Sequence, residues 1–283
     1  MRIAIFGSRG QLGAELCHRL RDEEIVALGR AHADITDAGA VAAVRAESRP
    51  DVVINAAAYN FVDRAEDEPQ AAYAVNALGP RNLARWCGER DVPLLHVSSD
   101  YVFGLDAGRR TPYSEADPPG PQGAYAVSKL AGEHFVRALC RRHFVVRTCG
   151  LYGFRGSPEK GNFVETMLRL GRERDELRIV NDQVCTPTFT ADLADAIAAL
   201  LRTDAYGLYH AASGGAATWF DFAIEIFHLA GMHVAVTPIT TAEYGAKAAR
   251  PCYSVLSTNK LTETTGYEFP AWQDALAHYL EQQ

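Results

Sequence analysis

The chain has 283 residues, 48% hydrophobic and 22% charged, with a net charge of −7, and that length and apolar content can bury a large core. The acidic balance, with no long lysine or arginine run, excludes a surface that tracks nucleic-acid phosphates. No stretch approaches the ~18 continuous apolar residues of a membrane span, and the chain opens on a strand rather than a leader, so a soluble cytoplasmic protein without nucleic-acid or membrane partners is expected.

Arg2-Ile3-Ala4-Ile5-Phe6 is a short apolar run that reads as a buried parallel strand. Gly7-Ser8-Arg9-Gly10-Gln11-Leu12-Gly13 follows at once, spaced G-x-x-G-x-x-G rather than G-x-G-x-x-G, and leads into an amphipathic helix. Glycines there permit a tight turn and let backbone N–H groups approach a pyrophosphate, which the positive end of the helix also attracts. A plain strand-to-helix turn would explain one or two of these glycines, and three in this context favour cofactor binding over it.

A second strand, Ile25-Val26-Ala27-Leu28, ends at Gly29-Arg30, where a site that prefers NAD carries Asp or Glu. Arg30, helped by Arg9, could instead pair a 2′-phosphate through its planar donor fork, so NADPH is the expected cofactor, with NADH also accepted. The alternative is a pair of solvated surface arginines. A third strand, Asp51-Val52-Val53-Ile54-Asn55-Ala56-Ala57-Ala58, ends in small residues that let a nicotinamide ribose lie close to the backbone.

The fourth strand, Val92-Pro93-Leu94-Leu95-His96-Val97, runs into Ser98-Ser99-Asp100-Tyr101. A hydroxyl at a strand's carboxyl end faces the crevice where α/β sheets bind ligands, so Ser99 is placed to hold a substrate carbonyl or relay its proton. The bland reading is a serine closing the strand with a turn. His96, inside the apolar run, reads as a packed core residue. Residues 104–122, rich in Pro, Gly and charge, are expected to be an exposed, mobile loop near the cleft.

Residues 125–129 read Tyr-Ala-Val-Ser-Lys. Helix positions four apart share a face, so Lys129 can lie beside Tyr125 and bias its phenol towards giving up a proton. A ketone receiving hydride becomes an alkoxide, and a neighbouring acid that protonates it accelerates the reaction by roughly 100 to 10,000-fold. Alone, this spacing also occurs on ordinary amphipathic helices. Following a glycine loop, it indicates a dinucleotide-dependent carbonyl reductase.

Further along, residues 190–201 read as a helix with Asp192 and Asp195 on its polar face, and residues 206–211 as a strand after it. Strands alternating with helices indicate an α/β fold, a doubly wound parallel sheet. The first domain is expected over 1–150, with 186–212 returning to it; 151–185 and 213–283 would form a smaller C-terminal α+β substrate lobe. Cys17, Cys87, Cys140, Cys149, Cys185 and Cys252 show no CxxC or zinc spacing and read as isolated buried thiols without a nucleophilic role. No metal site is expected.

Several of these segments at matching spacing resemble the extended short-chain dehydrogenase/reductases, and within them the dTDP-4-dehydrorhamnose reductase family. The matching motifs are Gly10-Gln11-Leu12-Gly13, Asn55-Ala56-Ala57-Ala58, Val62-Asp63-Arg64-Ala65-Glu66, Ser98 to Phe103, Tyr125 to Glu133, Asn181-Asp182-Gln183, Arg250-Pro251 and Ser254 to Leu261. The resemblance implies a Rossmann fold and hydride transfer to C4 of a nucleotide-linked 4-keto-6-deoxyhexose, giving a deoxysugar donor such as dTDP-L-rhamnose. It implies that Ser99 hydrogen-bonds the reacting oxygen, that Tyr125 protonates it, and that Lys129 binds the nicotinamide ribose. Gly7, Arg9, Gly10, Gln11, Leu12, Arg30, Asp34, Ile35 and Ala56 to Ala58 would complete the cofactor site, with Asp34-Ile35 flanking the adenine. Val62, Ser99, Asp100, Tyr101, Gly150 and Asn162 would line the sugar-nucleotide site. Pairing into a homodimer is an expectation from the same superfamily.

The chain departs from the family pattern at two places. Relatives commonly read Arg-Thr-Ser-Trp-x-Tyr-Gly where this chain has Arg147-Thr148-Cys149-Gly150-Leu151-Tyr152-Gly153, so the pocket should be wider or filled by another residue. Val184-Cys185-Thr186-Pro187-Thr188 replaces a segment that often carries an aromatic and a glycine. Sugar and base therefore stay open, as do two other readings: a different sugar-nucleotide reductase or epimerase, and a dinucleotide-binding regulatory subunit like the β subunit of methionine adenosyltransferase.

Overall fold

The computed structural model describes residues 1–156 and 161–282. Five strands, β1 (Arg2–Phe6), β2 (Glu24–Leu28), β3 (Val52–Asn55), β4 (Leu94–Ser99) and β5 (His143–Thr148), join the strand Gly207–His210 in one sheet. Its order is Gly207–His210, β5, β4, β3, β1, β2, and every pairing is parallel. Phe6 stands opposite Leu28 on one side and Asn55 on the other, while Ser99 stands opposite Thr148. The carboxyl ends of the central strands thus share one edge, and the chain reverses its direction of travel across the sheet between β1 and β3. That switch point is where open α/β sheets leave a crevice.

The pleat sends alternate side chains to opposite faces, and both faces are covered. Ile3 and Ile5 enter one core with Leu12 and Leu16 of helix α1 (Gln11–Arg19) and Leu193, Ile197 and Leu200 of the helix Thr190–Leu200. Ala4 and Phe6 enter the other with Leu83, Trp86 and Val136. This is the doubly wound arrangement that near-continuous apolar strands require.

A third core gathers Tyr152, Val164, Leu168, Phe222, Ile226, Trp272 and Tyr279 under the helices Phe163–Glu173, Trp219–Leu229 and Trp272–Glu281. The strands Glu176–Val180 and Ala235–Ile239 pair in parallel beside it. The helix Thr190–Leu200 starts in this core, through Ala191, and ends in the first.

Two expectations need correction. Leu261, Tyr267 and Phe269 lie in the stretch assigned to the substrate lobe, yet they pack on the core that contains Ile3 and Leu193, because their apolar side chains cover the helix Thr190–Leu200. The loop 104–122 is not simply exposed. Tyr113 is 4% exposed and stacks on Phe103 at 3.9 Å, its N–H donates to the Val255 carbonyl at 2.8 Å, and Arg109 grips both oxygens of Asp117. Among the described residues no helix is long and apolar enough to cross a membrane.

Candidate active site

A cleft of about 1580 Å³ opens along the carboxyl ends of β1, β3, β4 and β5. Ordinary small-molecule pockets hold roughly 300 to 1,000 Å³, so this one has room for two extended ligands. Every residue assigned from sequence to the cofactor, the substrate or the chemistry lines it.

At the switch point Gly7 has φ +80°, and a β-carbon there would stand 2.5 Å from the Ala57 nitrogen, so only glycine lets β1 turn this close to β3. Helix α1 begins at Gln11 with no side-chain cap on Gly10, which leaves its first-turn N–H groups for an anion. The loop residues divide their work. Leu12 sends its side chain into the core, 6% exposed, so only its backbone can serve a cofactor. With its amide oxygen turned inward, Gln11 accepts from the Gly153 N–H at 2.7 Å and the Tyr152 N–H at 3.2 Å, which ties the glycine loop to the second lobe.

Arg9 lies over Gly29, its Cδ and Nε 3.2 Å from where a β-carbon would be. Arg30 is 86% exposed and its Nε donates to Asp34 Oδ2 at 3.1 Å. Asp34 also accepts from the Thr36 N–H and hydroxyl; burial opposes ionisation, but these bonds and Arg30 together hold its carboxyl below the usual range. Asp34 thus acts on Arg30 and the turn after it. Ile35, 4% exposed, packs in the core with Ala33 and Leu83, its side chain filling the space where a β-carbon of Gly79 would lie.

Ser99 ends β4, accepts from the Tyr101 N–H at 3.1 Å and donates to Asp100 Oδ1 at 3.0 Å. The other oxygen of Asp100 accepts from Ser254 at 2.6 Å. Burial pushes the Asp100 carboxyl up, and hydrogen bonds from Ser254, Cys149 and Ser99 pull it back. Asp100 therefore orients Ser99 with the oxygens that were expected to meet substrate. Tyr125 and Lys129 project from the helix Gly123–Leu139, the tyrosine edge-on to Tyr101 at 5.7 Å. Lys129 is buried, and its Nζ donates to the Val97 carbonyl at 2.8 Å.

Sequence spacing suggests that Lys129 lowers the pKa of Tyr125, but in the structure burial dominates and the phenol shifts the other way. Burial pushes the Tyr125 phenol up, with the Ser99 hydroxyl opposing, and burial also brings Lys129 down from 10.5 to about 8 against the pull of Glu133. Low-dielectric surroundings disfavour the charged form of both. Tyr125 is thus held as a neutral phenol, the form that can donate a proton.

On the substrate side, Val62 packs beside Tyr59, Tyr101 and Tyr125. Asn162 caps the helix Phe163–Glu173 by accepting from the Glu165 N–H at 3.0 Å and donates to the Gly153 carbonyl at 3.2 Å, so its amide shapes the cleft from within the fold. Cys149 and Cys185 both line the cleft, and the hydrogen bond between their thiols, together with burial, raises the pKa of Cys149, which suits an inert thiol.

A family model described as "RmlD substrate binding domain" matches residues 1–283. A dTDP-4-dehydrorhamnose reductase from Streptomyces griseus is 43% identical over 97% of this chain and 91% of the relative. The chain belongs to the dTDP-4-dehydrorhamnose reductase family. A probable dTDP-4,6-dihydroxy-2-methyloxan-3-one 4-ketoreductase from Streptomyces antibioticus is 41% identical over 98% of this chain and 93% of that protein. A dTDP-4-dehydrorhamnose reductase from Bacillus anthracis, solved in complex with NADP, superposes with a TM-score of 0.94 at 41% identity, covering 100% of this chain and 99% of the other.

Sequence reading places Asp63, Glu133 and Arg250 in motifs without a role and does not single out Asn76, yet these polar groups brace the cleft. Asn76 lies in a π-helical turn, Ala74–Leu78, and is 1% exposed. Its amide accepts from the Tyr59 N–H at 2.8 Å and donates to the Tyr59 carbonyl at 3.0 Å and to Ser128 Oγ at 3.1 Å, while Ser128 donates to the Tyr125 carbonyl at 2.7 Å. Glu133 takes two bonds from Arg147, at 2.9 and 2.7 Å, and one from Ser98 at 2.5 Å, fixing the helix Gly123–Leu139 to β4 and β5. Asp63 meets Arg250 through both oxygens at 3.0 and 2.7 Å. An asparagine inside an apolar run of small residues was a visible signal for Asn76; the partners of the other two lie far away in sequence.

Proposed function

We propose that this protein reduces the C4 keto group of a dTDP-linked 4-keto-6-deoxyhexose with NADPH, as its relatives' names suggest, so that the product is a deoxysugar donor such as dTDP-L-rhamnose. When bound, the reduced nicotinamide supplies the hydride. Tyr125 gives its phenolic proton to the oxygen that becomes the C4 hydroxyl, Ser99 turns its hydroxyl from Asp100 to hydrogen-bond that oxygen, and Lys129 turns its ammonium from the Val97 carbonyl to the nicotinamide ribose. The first-turn N–H groups of α1 would receive the pyrophosphate, Ala56 to Ala58 the ribose beside them, and Arg9 and Arg30 a 2′-phosphate, for which no acidic residue stands at Gly29-Arg30. Val62, Tyr101, Gly150 and Asn162 would line the sugar-nucleotide half.

The observation that carries this reading is a buried Tyr125, held as a neutral phenol beside Ser99, one helical turn from Lys129, at the end of β4. Tyr125→Phe should lower kcat by roughly 100 to 10,000-fold while NADPH binding survives. The assay is loss of NADPH absorbance with dTDP-4-keto-L-rhamnose. A variant that keeps its activity would sink the assignment of the acid.

A second dTDP-keto sugar is the competing substrate, favoured by the Streptomyces antibioticus relative and by the Cys149-Gly150 replacement. Residues 1–150 with 186–212 form the dinucleotide half in this reading, and 151–185 with most of 213–283 the substrate lobe. It also takes the protein to be a cytoplasmic homodimer, in the compartment that supplies NADPH and nucleotide sugars.

A further inference from the structure

Resting on the reductase reading, we propose that Trp219 is the specificity wall against which the sugar ring of the substrate stacks. Gly150 follows directly on the segment that holds the reacting centre, since the preceding thiol, that of Cys149, hydrogen-bonds Asp100, and Asp100 in turn holds Ser99. At Gly150 φ is +53°, a left-handed conformation that L side chains rarely adopt, and a β-carbon there would stand 3.1 Å from Pro187 Cα. With the backbone set this way, a side chain at position 150 of this chain would be strained. The direction such a side chain would take is already filled: the indole of Trp219 comes within 3.5 Å of that β-carbon position and lines the same cleft as Ser99 and Tyr125.

The indole is held for this task. Its back packs on Phe163 with ring centroids 4.8 Å apart, which fixes the tilt. Its backbone opens the helix Trp219–Leu229 behind a capping box in which Thr218 Oγ accepts from the Asp221 N–H at 3.0 Å and the Asp221 carboxylate accepts from the Thr218 N–H at 3.0 Å. Thr218 and Ala217 pair with Val184 and Cys185, so the element that carries the indole is hydrogen-bonded to another wall of the cleft. A rigid aromatic face lining the same cleft as Ser99 and Tyr125 suits the apolar C–H face of a 6-deoxyhexose, whereas the polar hydroxyls must point elsewhere.

The chain has three tryptophans, and Trp86 and Trp272 are 6% and 5% exposed in separate cores, so Trp219 is the one a cleft ligand can touch. The test titrates the full chain with dTDP and with dTDP-L-rhamnose, following tryptophan fluorescence, and measures kinetics for Trp219→Ala and Trp219→Phe. Dissociation of dTDP-L-rhamnose and KM for the keto sugar should rise about 10-fold in Trp219→Ala, with dTDP alone bound within about 2-fold of wild type. Trp219→Phe should restore most of the affinity while losing the fluorescence response to dTDP-L-rhamnose. Equal weakening of dTDP and the sugar nucleotide would overturn the sugar contact, as would unchanged KM with a lowered Tm, the result expected of a packing residue. A wild type that binds no dTDP-sugar and reduces none would overturn the reductase reading itself, and this inference with it.

Discussion

Lys129 illustrates what one residue costs the fold and gives the site. Its folded-state pKa is about 8 against 10.5 for the free side chain, so between those values the unfolded chain binds the extra proton. The stability it contributes is full above pH 10.5 and is lost as pH falls to 8, which makes the buried ammonium a liability at neutral pH that its bond to Val97 only partly offsets. Lys129→Met should therefore raise Tm by a few °C at pH 7, on the order expected for ~1 kcal/mol in a chain this long, and the advantage should shrink as pH climbs from 8 towards 10.5. NADPH affinity of the wild type should weaken above pH 8 as the ammonium is lost. Thermal melts and titrations across that range check both, and a pH-independent Tm difference would contradict the burial argument. The Tyr-x-x-x-Lys spacing made the pair legible in the sequence. The direction of the Tyr125 shift was not legible, because desolvation depends on what surrounds the phenol, and Tyr101, Val62 and Ala65 come from elsewhere in the chain.

At the scale of elements, β1 and α1 were legible because a buried parallel strand, a glycine turn and an amphipathic helix each leave a local mark. What the turn tolerates is set by close approach. Alanine is favoured over glycine in a helix interior by about 1 kcal/mol, so Gly13→Ala looks stabilising on propensity alone. Yet a β-carbon at Gly13 would stand 2.1 Å from the Gly7 carbonyl oxygen and 2.9 Å from Ser8 Cα, so the backbone of the turn itself would have to shift. Gly13→Ala should lower Tm and weaken NADPH at least about 10-fold, as read by calorimetric titration; unchanged affinity would show that the glycine loop yields more easily than its packing implies. The loop 104–122 was misjudged for the opposite reason. Its composition is that of a surface loop, but Tyr113 finds a stacking partner in Phe103 and a backbone partner in Val255, and neither is visible from the loop's own residues.

For the whole molecule, the helix Gly123–Leu139 and its neighbours leave apolar side chains on the outside: Tyr73 and Leu78 are 39% and 38% exposed, Val127 and Leu139 48% and 40%. Apolar groups gathered on neighbouring helices are what a self-complementary interface buries. Light scattering should report close to twice the 30.9 kDa chain mass, and Val127→Glu should shift it towards one chain; a wild-type monomer at micromolar concentration would end the dimer proposal. The sequence by itself determined the parallel sheet, the glycine turn and the Tyr125–Lys129 pair, which rest on periodicity or short spacing within single elements, and the family, which several motifs in order along the chain resemble. Tertiary structure alone decided that Leu261 and Phe269 return to the first core, that Asp100 serves Ser99, that Asn76 and Glu133 brace the helix Gly123–Leu139, and that Trp219 occupies the space beside Gly150. Each of these joins residues far apart in the chain, and such contacts are set by how the three cores pack together, which no local pattern encodes.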